Sequence, residues 1–170
     1  MNATDPDPTS LVNAPADRRR SAVQLAALGY GLVFVLVGIA GFIPGVTADV
    51  GSMQLGGHHS EAMLLGLFQV SVVHNIVHLL YGIAGIALAS RASLGRLFLL
   101  IGGAIYLVLW IYGLVIDKES MANFVPLNTA DDWLHFVLGT SMIGLSFLPR
   151  RRPPESTAQA HHRETGASNA

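Results

Sequence analysis

Four long stretches of this 170-residue chain lack any Lys, Arg, Asp or Glu, and this spacing of charge constrains the fold more than any other feature. A bilayer core about 30 Å thick is crossed by about 20 helical residues, since each residue rises about 1.5 Å. All four stretches are of that order in length. The spacing therefore predicts four membrane-spanning helices, at about 21–43, 73–90, 97–116 and 133–149.

Composition weighs against a soluble protein. Charged residues make up 12% of the chain, against about 25% in an ordinary soluble domain. A soluble helix also carries a polar face that recurs every 3.6 residues, and the run 97–116 has none. We therefore predict an all-α fold, an integral membrane four-helix bundle occupying residues 21–149. The first apolar run exceeds the core of a cleaved signal peptide, so we expect a retained anchor.

The arginines predict how the bundle is oriented. They precede the first helix at 18–20, separate the second and third helices as Arg91 and Arg96, and follow the fourth at 150–152. The other two loops carry a single cation, Lys118, together with most of the acidic residues. Because short cytoplasmic loops are enriched in Lys and Arg, we expect both termini in the cytoplasm of a multi-pass protein in the bacterial inner membrane.

Three segments flank the predicted helices. Residues 1–20 and 150–170 are polar, Pro-containing and without apolar periodicity, which predicts disordered cytoplasmic tails. Residues 61–71 lead into the second helix, and Gln69 and Ser71 interrupt their apolar character. This segment can form an interfacial helix or extend the second helix outward, and we favour the interfacial helix.

A short internal repeat suggests how the helices are arranged. Residues 75–82 and 132–139 share the pattern Asn/Asp-x-x-His-x-x-x-Gly, and both precede cytoplasmic arginines. The repeat predicts two tandem helical hairpins in the same orientation, related by an axis along the membrane normal. In lipid, helices associate through small residues that allow close approach, so Gly82 and Gly139 are predicted to be packing positions.

Polar residues in apolar surroundings are the candidates for a functional site. His74 and His78 are four residues apart and so share one helix face, and Asp131 and His135 repeat this spacing in the second copy. Imidazole and carboxylate groups suit Zn²⁺ or another divalent transition metal. The four residues therefore form a candidate metal site, and the histidines could also ligate a haem.

The same residues have a structural interpretation, which we favour. Asn75 and Asp132 are of the type that caps helix N-termini. If they do, His78 and His135 occupy the third helical position, from which a side chain can reach back to the cap. A third interpretation is proton or ion handling, because an ionisable residue inside a membrane suggests a function. The sequence leaves all three open.

A family resemblance rests on the stretch 64–91. This stretch resembles the DUF4383 family of bacterial membrane proteins, and the later Asp132-x-x-His135 fits the same family pattern. The resemblance extends over about residues 21–150. It implies a four-helix membrane protein and implies no activity. The residues that carry it in the first stretch are Gly66, Leu67, Phe68, His74, Asn75, His78, Gly82 and Gly85.

The motifs, cysteine count and net charge of the sequence mainly exclude classes of function. No nucleotide-binding loop, hydrolase elbow or zinc-protease motif occurs, and there is no Cys. The formal net charge of −1 predicts no nucleic-acid partner. We expect a non-enzymatic structural or interaction protein whose partners are the lipid bilayer and either further copies or another membrane protein, with no cofactor. The alternatives are a metal- or haem-binding protein and a proton-coupled carrier, which would need an oligomer.

Overall fold

The computed structural model describes residues 20–149, which contain four α-helices and three very short strands. Both predicted tails lie outside this range, apart from Arg20. Between the first and second helices, the chain forms the first strand, then a single 3₁₀ turn, Val50–Ser52, and then the other two strands. The helices are α1 (Ala22–Ala40), α2 (Val72–Leu88), α3 (Ala92–Val115) and α4 (Thr129–Ser146), and the strands are β1 (Thr47–Ala48), β2 (Met63–Leu64) and β3 (Phe68–Gln69).

Helices α3 and α4 begin about one turn earlier than the charge-free runs predict. The run 97–116 stops short of Arg96, which nevertheless lies in the first turns of α3. Its guanidinium donates from Nη2 to the carbonyl oxygen of Leu148 at 3.0 Å, so the charge is accommodated at the helix end. A charge-free run therefore marks the apolar part of a helix and not its full length.

Two of the helices are long and apolar enough to cross a membrane. Helices α1 and α3 are apolar over 19 and 24 residues, whereas α2 is apolar but only 17 residues long. Most residues of α1 and α3 are not buried. Large apolar side chains face outward instead, including Leu36 and Val108, which are 64% and 65% exposed. A core helix of a soluble protein would bury such side chains.

The helices pack chiefly in sequential pairs, α1 with α2 and α3 with α4, and α1 also contacts α3. Glycines permit the close approach in both pairs. A Cβ atom added to Gly82 would lie 2.6 Å from the carbonyl oxygen of Gly31, and one added to Gly139 would lie 2.9 Å from that of Gly103. Neither helix pair has room for a side chain at these contacts.

The two pairs are also tied alike at the end where α1 begins. Gln24 donates from Nε2 to the carbonyl oxygens of Ala89 and Ser90, each at 3.0 Å, at the end of α2. Arg96 makes the corresponding contact at the end of α4. The last carbonyl groups of a helix have no hydrogen-bond partner within that helix. In each pair, a polar side chain from the first turns of one helix donates to such carbonyl groups at the end of the other.

Residues 61–71 do not form the interfacial helix predicted for them. They contain β2 and β3, which pair antiparallel with Leu64 opposite Phe68, and β1 completes the sheet. The turn between them requires Leu65 and Gly66 at φ of 55° and 67°, values that no right-handed helix contains. The sheet packs through Ala62, Leu64 and Val70 near the end of α1.

The N-caps also differ from the prediction of Asn75 and Asp132. Helix α2 is capped by Ser71, whose Oγ accepts from the backbone N–H of His74 at 3.2 Å. Helix α4 is capped by Asn128. Both caps stand four residues before the predicted ones, because Ser and Asn are themselves strong cap residues and each helix gains a turn by starting there. Asn75 and Asp132 are instead buried within the helices.

Candidate functional site

Three of the four predicted site residues, on α2 and α4, lie close together. The ring centroids of His74 and His78 are 4.5 Å apart, with planes at 78°. His135 of α4 lines the same two cavities as these histidines and is only 3% exposed. We call His74, His78 and His135 the imidazole cluster. His78 and His135 are each the seventh residue of their helix, which explains why they lie at a similar depth.

Two stacked aromatic rings connect the histidines of the two helix pairs. Phe34 of α1 stacks on His78 with centroids 5.6 Å apart, and Tyr106 of α3 lies 5.2 Å from His135. Phe34 and Tyr106 in turn stack on each other. Neither aromatic residue was predicted to belong to the site. Their signal was available, since each stands three residues after the glycine at which its helix contacts its partner.

The imidazole cluster separates two cavities. The α2–α3 cavity has a volume of about 440 Å³ and lies between these helices, under residues 124–126. The α1–α4 cavity has a volume of about 200 Å³ and lies on the other side, beside the sheet. All three histidines line both cavities. The walls are otherwise almost entirely apolar, apart from Ser71 and two tyrosines in the first cavity and Asp131 in the second.

The cluster contains polar atoms that the described part of the protein leaves unpaired. The Nδ1 atoms of His74, His78 and His135 are buried and have no hydrogen-bond partner within residues 20–149. A buried polar group without a partner costs about 1–3 kcal/mol, so native proteins rarely contain several in one place. The three nitrogens are therefore buried hydrogen-bonding atoms next to the two cavities, and a group in either cavity reaches one of them when the imidazole ring turns.

Asp131, the fourth predicted site residue, is held by contacts at the beginning of α4. Its Oδ2 accepts from the backbone N–H groups of Asn128 at 3.0 Å and of Gln69 at 3.1 Å. The first bond belongs to the capping box of α4, and the second ties β3 to that helix. Within residues 20–149, no three His, Asp or Glu side chains are placed to hold one metal ion.

An ion pair near the site was not predicted from the sequence. Lys118 donates from Nζ to both carboxylate oxygens of Asp132, at 2.7 and 2.8 Å, and to the carbonyl oxygen of Gly113 at 2.7 Å. Asp132 packs against Gly113 as Asn75 packs against Gly41 in the other helix pair. The one available signal was that Lys118 is the sole cation in its loop.

Comparison with known proteins identifies the family. Residues 24–148 match the family described as "Domain of unknown function (DUF4383)", which covers most of the chain. No curated protein and no solved structure matches the chain. The match includes the imidazole cluster, both cavities and the glycine contacts of the two helix pairs, and it confirms the resemblance stated from residues 64–91. The chain therefore belongs to the DUF4383 family.

Proposed function

We propose that this protein is embedded in the bacterial inner membrane, with four crossings, two tandem hairpins in the same orientation and both termini in the cytoplasm. The apolar outer surfaces of α1 and α3 support embedding. Arg91 and Arg96 lie at the end of the bundle where α1 begins, whereas Asp131 and Asp132 lie at the opposite end. This separation fits the preference of Lys and Arg for the cytoplasmic side.

Within that membrane bundle, the function that the geometry supports best is non-enzymatic binding of a small lipophilic molecule. The observation that carries it is the imidazole cluster, whose three unpaired Nδ1 atoms are buried beside two apolar cavities. Typical ligand sites have volumes of about 300–1,000 Å³ and apolar walls with a few polar groups that orient the ligand. The α2–α3 cavity, at about 440 Å³, has this character.

The test is to identify what the protein retains after purification in mild detergent. We expect a lipophilic compound in about equimolar amount, detected by mass spectrometry of an organic extract. Val77 lines the α2–α3 cavity, so Val77→Phe should fill part of it and reduce the retained compound. The matched control is Val108→Phe, the same change at an outward-facing position of α3. Equal retention by both variants would contradict binding in this cavity.

The metal or haem interpretation makes a different demand on the same histidines. It requires His74, His78 and His135 to converge on one ion, with a side-chain movement from the described arrangement. Elemental analysis and a visible absorption spectrum of the purified protein test it directly. A stoichiometric metal, or a haem absorption band, would replace the lipophile proposal.

The carrier interpretation requires transport rather than retention. Four helices in one chain are few for a carrier, so this version requires an oligomer. Proton-coupled flux in proteoliposomes that contain the purified protein would support it. A protein that retains a ligand but transports none would leave binding as the function.

A further inference from the structure

We propose that the α2–α3 cavity binds the head group of a lipid-soluble quinone, with the imidazole cluster as its hydrogen-bond partners. This inference rests on the proposed function and names the class of ligand. The occupant must satisfy the polar atoms of the cluster, fit an apolar cavity with aromatic walls, and reach the site from the lipid.

The polar atoms favour a neutral ligand that carries oxygen. A neutral imidazole has one N–H donor and one acceptor nitrogen. Once a ring turns its nitrogen toward the cavity, a quinone carbonyl accepts from an N–H donor, and the hydroxyl of the reduced form can donate to an acceptor nitrogen. Among residues 20–149, no Lys, Arg, Asp or Glu lines the α2–α3 cavity. A fatty acid or a phosphate would therefore bring an uncompensated charge into an apolar site, at a large cost in desolvation.

The walls favour a flat ring. Tyr81, Tyr106 and Phe124 line the cavity together with His74 and His78, so several aromatic faces and edges are available. Aromatic rings associate in offset-stacked or edge-to-face geometry, which gains more than burial alone. A saturated acyl chain would fill the volume, but it would leave the three imidazole nitrogens unpaired.

The position of the cavity favours a ligand with a long apolar tail. Val77 of α2 and Ile105 of α3 line the cavity, and each is half or more exposed on the outer surface of the bundle, at 55% and 50%. The cavity is therefore bordered by the surface that the proposed topology places against lipid. A head group inside could leave its isoprenoid tail in the bilayer, so the ligand need not pass through water.

The experiment compares two probes that differ only in their oxygens. Menadione, a methylated naphthoquinone, and 2-methylnaphthalene are titrated into the purified full chain in nanodiscs, with empty nanodiscs as the background. We expect menadione to bind once per chain. Each hydrogen bond to an imidazole should make it bind about 2- to 10-fold tighter than the hydrocarbon. His78→Phe and His135→Phe keep an aromatic ring but remove the nitrogens, so each should reduce this preference.

His59→Phe is the matched control, since His59 is exposed in the loop and does not line either cavity. It should leave the preference unchanged. If a cluster variant fails to fold, ¹⁵N signals of the wild-type histidines decide the matter, because menadione should shift those of the cluster and 2-methylnaphthalene should not. Equal binding of both probes, unaffected by the variants, would overturn the quinone proposal and leave a lipophile site. If neither probe binds and no compound is retained, the proposed function fails as well.

Discussion

The rings of Phe34 and Tyr106 are stacked, with centroids 5.5 Å apart and planes within 4° of parallel. Each belongs to the first helix of its pair, and each also contacts a histidine of the second helix, His78 or His135. The middle of the bundle is thus made of corresponding residues from the two pairs. Changes at corresponding positions should therefore have similar effects, except where the two pairs differ in charge.

The glycine contact between α1 and α2 should not tolerate a methyl group. Gly82→Ala would place Cβ 2.6 Å from the carbonyl oxygen of Gly31 and equally close to the backbone nitrogen of Val35, neither of which can move alone. We expect a loss of about 1–3 kcal/mol in unfolding free energy, measured by denaturation in detergent. Gly29→Ala is the control, because no atom of the described part of the chain lies within 4 Å of its added Cβ. Equal stability of the two variants would contradict the packing described for Gly82.

The ion pair of Lys118 and Asp132 should show strong coupling. The Asp132 side chain is only 4% exposed, so removal of its partner leaves a buried charge without compensation. Lys118→Met should cost about 3–5 kcal/mol. Asp132→Asn should cost less, because Asn75 occupies the corresponding place against Gly41 without a cation.

The double variant, Lys118→Met with Asp132→Asn, tests this explanation. It should be more stable than Lys118→Met alone, because the buried charge has been removed with its partner. Thermal unfolding of the wild type, the two single variants and the double variant gives the stability losses for a double-mutant cycle. Purely additive losses would show that the two residues act independently.

The N-cap of α4 should contribute more to the unfolding free energy than an ordinary surface hydrogen bond does. Asn128 accepts from the backbone N–H of Asp131 at 3.0 Å and donates to the carbonyl oxygen of Leu67 at 2.8 Å. Asn128→Ala should therefore reduce unfolding free energy by about 0.5–2 kcal/mol. Ser52→Ala, which removes one exposed bond within its own turn, should change it little. A cap variant as stable as this control would show that α4 begins elsewhere.

The proposed topology predicts the location of two reporter fusions. A reporter active only outside the cytoplasm should be active at residue 55, in the segment between α1 and α2, and inactive at residue 160. The arginine distribution gives the reason, since it assigns the α2–α3 connection to the cytoplasm. Activity at 160 with none at 55 would reverse the orientation. Activity at both positions would contradict an even number of crossings.

Local patterns in the sequence predicted part of this structure. The charge-free runs located all four helices, and the i,i+4 spacing brought His74 and His78 to one place. The sheet was missed because strands of two residues contain no period to detect. The caps were assigned one turn late, because Asn75 and Asp132 are chemically as suitable as the residues four positions earlier.

The rest of the site depends on contacts between distant parts of the chain. His135 and His74 come together only when the two helix pairs pack against each other, which no local pattern specifies. The same holds for Lys118, whose partner Asp132 lies beyond the end of its loop. Phe34 and Tyr106 lie outside the short repeat, which covers only residues of α2 and α4, so only the glycines three residues before them signal that they correspond. The two residues also differ in type.

That difference has a consequence for what a single chain can do. Two identical hairpins meeting as a symmetric dimer must use the same residue on both sides of their axis. Here one side of the stacked pair is Phe34 and the other is Tyr106, and of the two only the tyrosine lines the larger cavity. Because both halves belong to one chain, the two positions need not be identical, so one ring of the stacked pair can carry a hydroxyl while the other remains a bare ring.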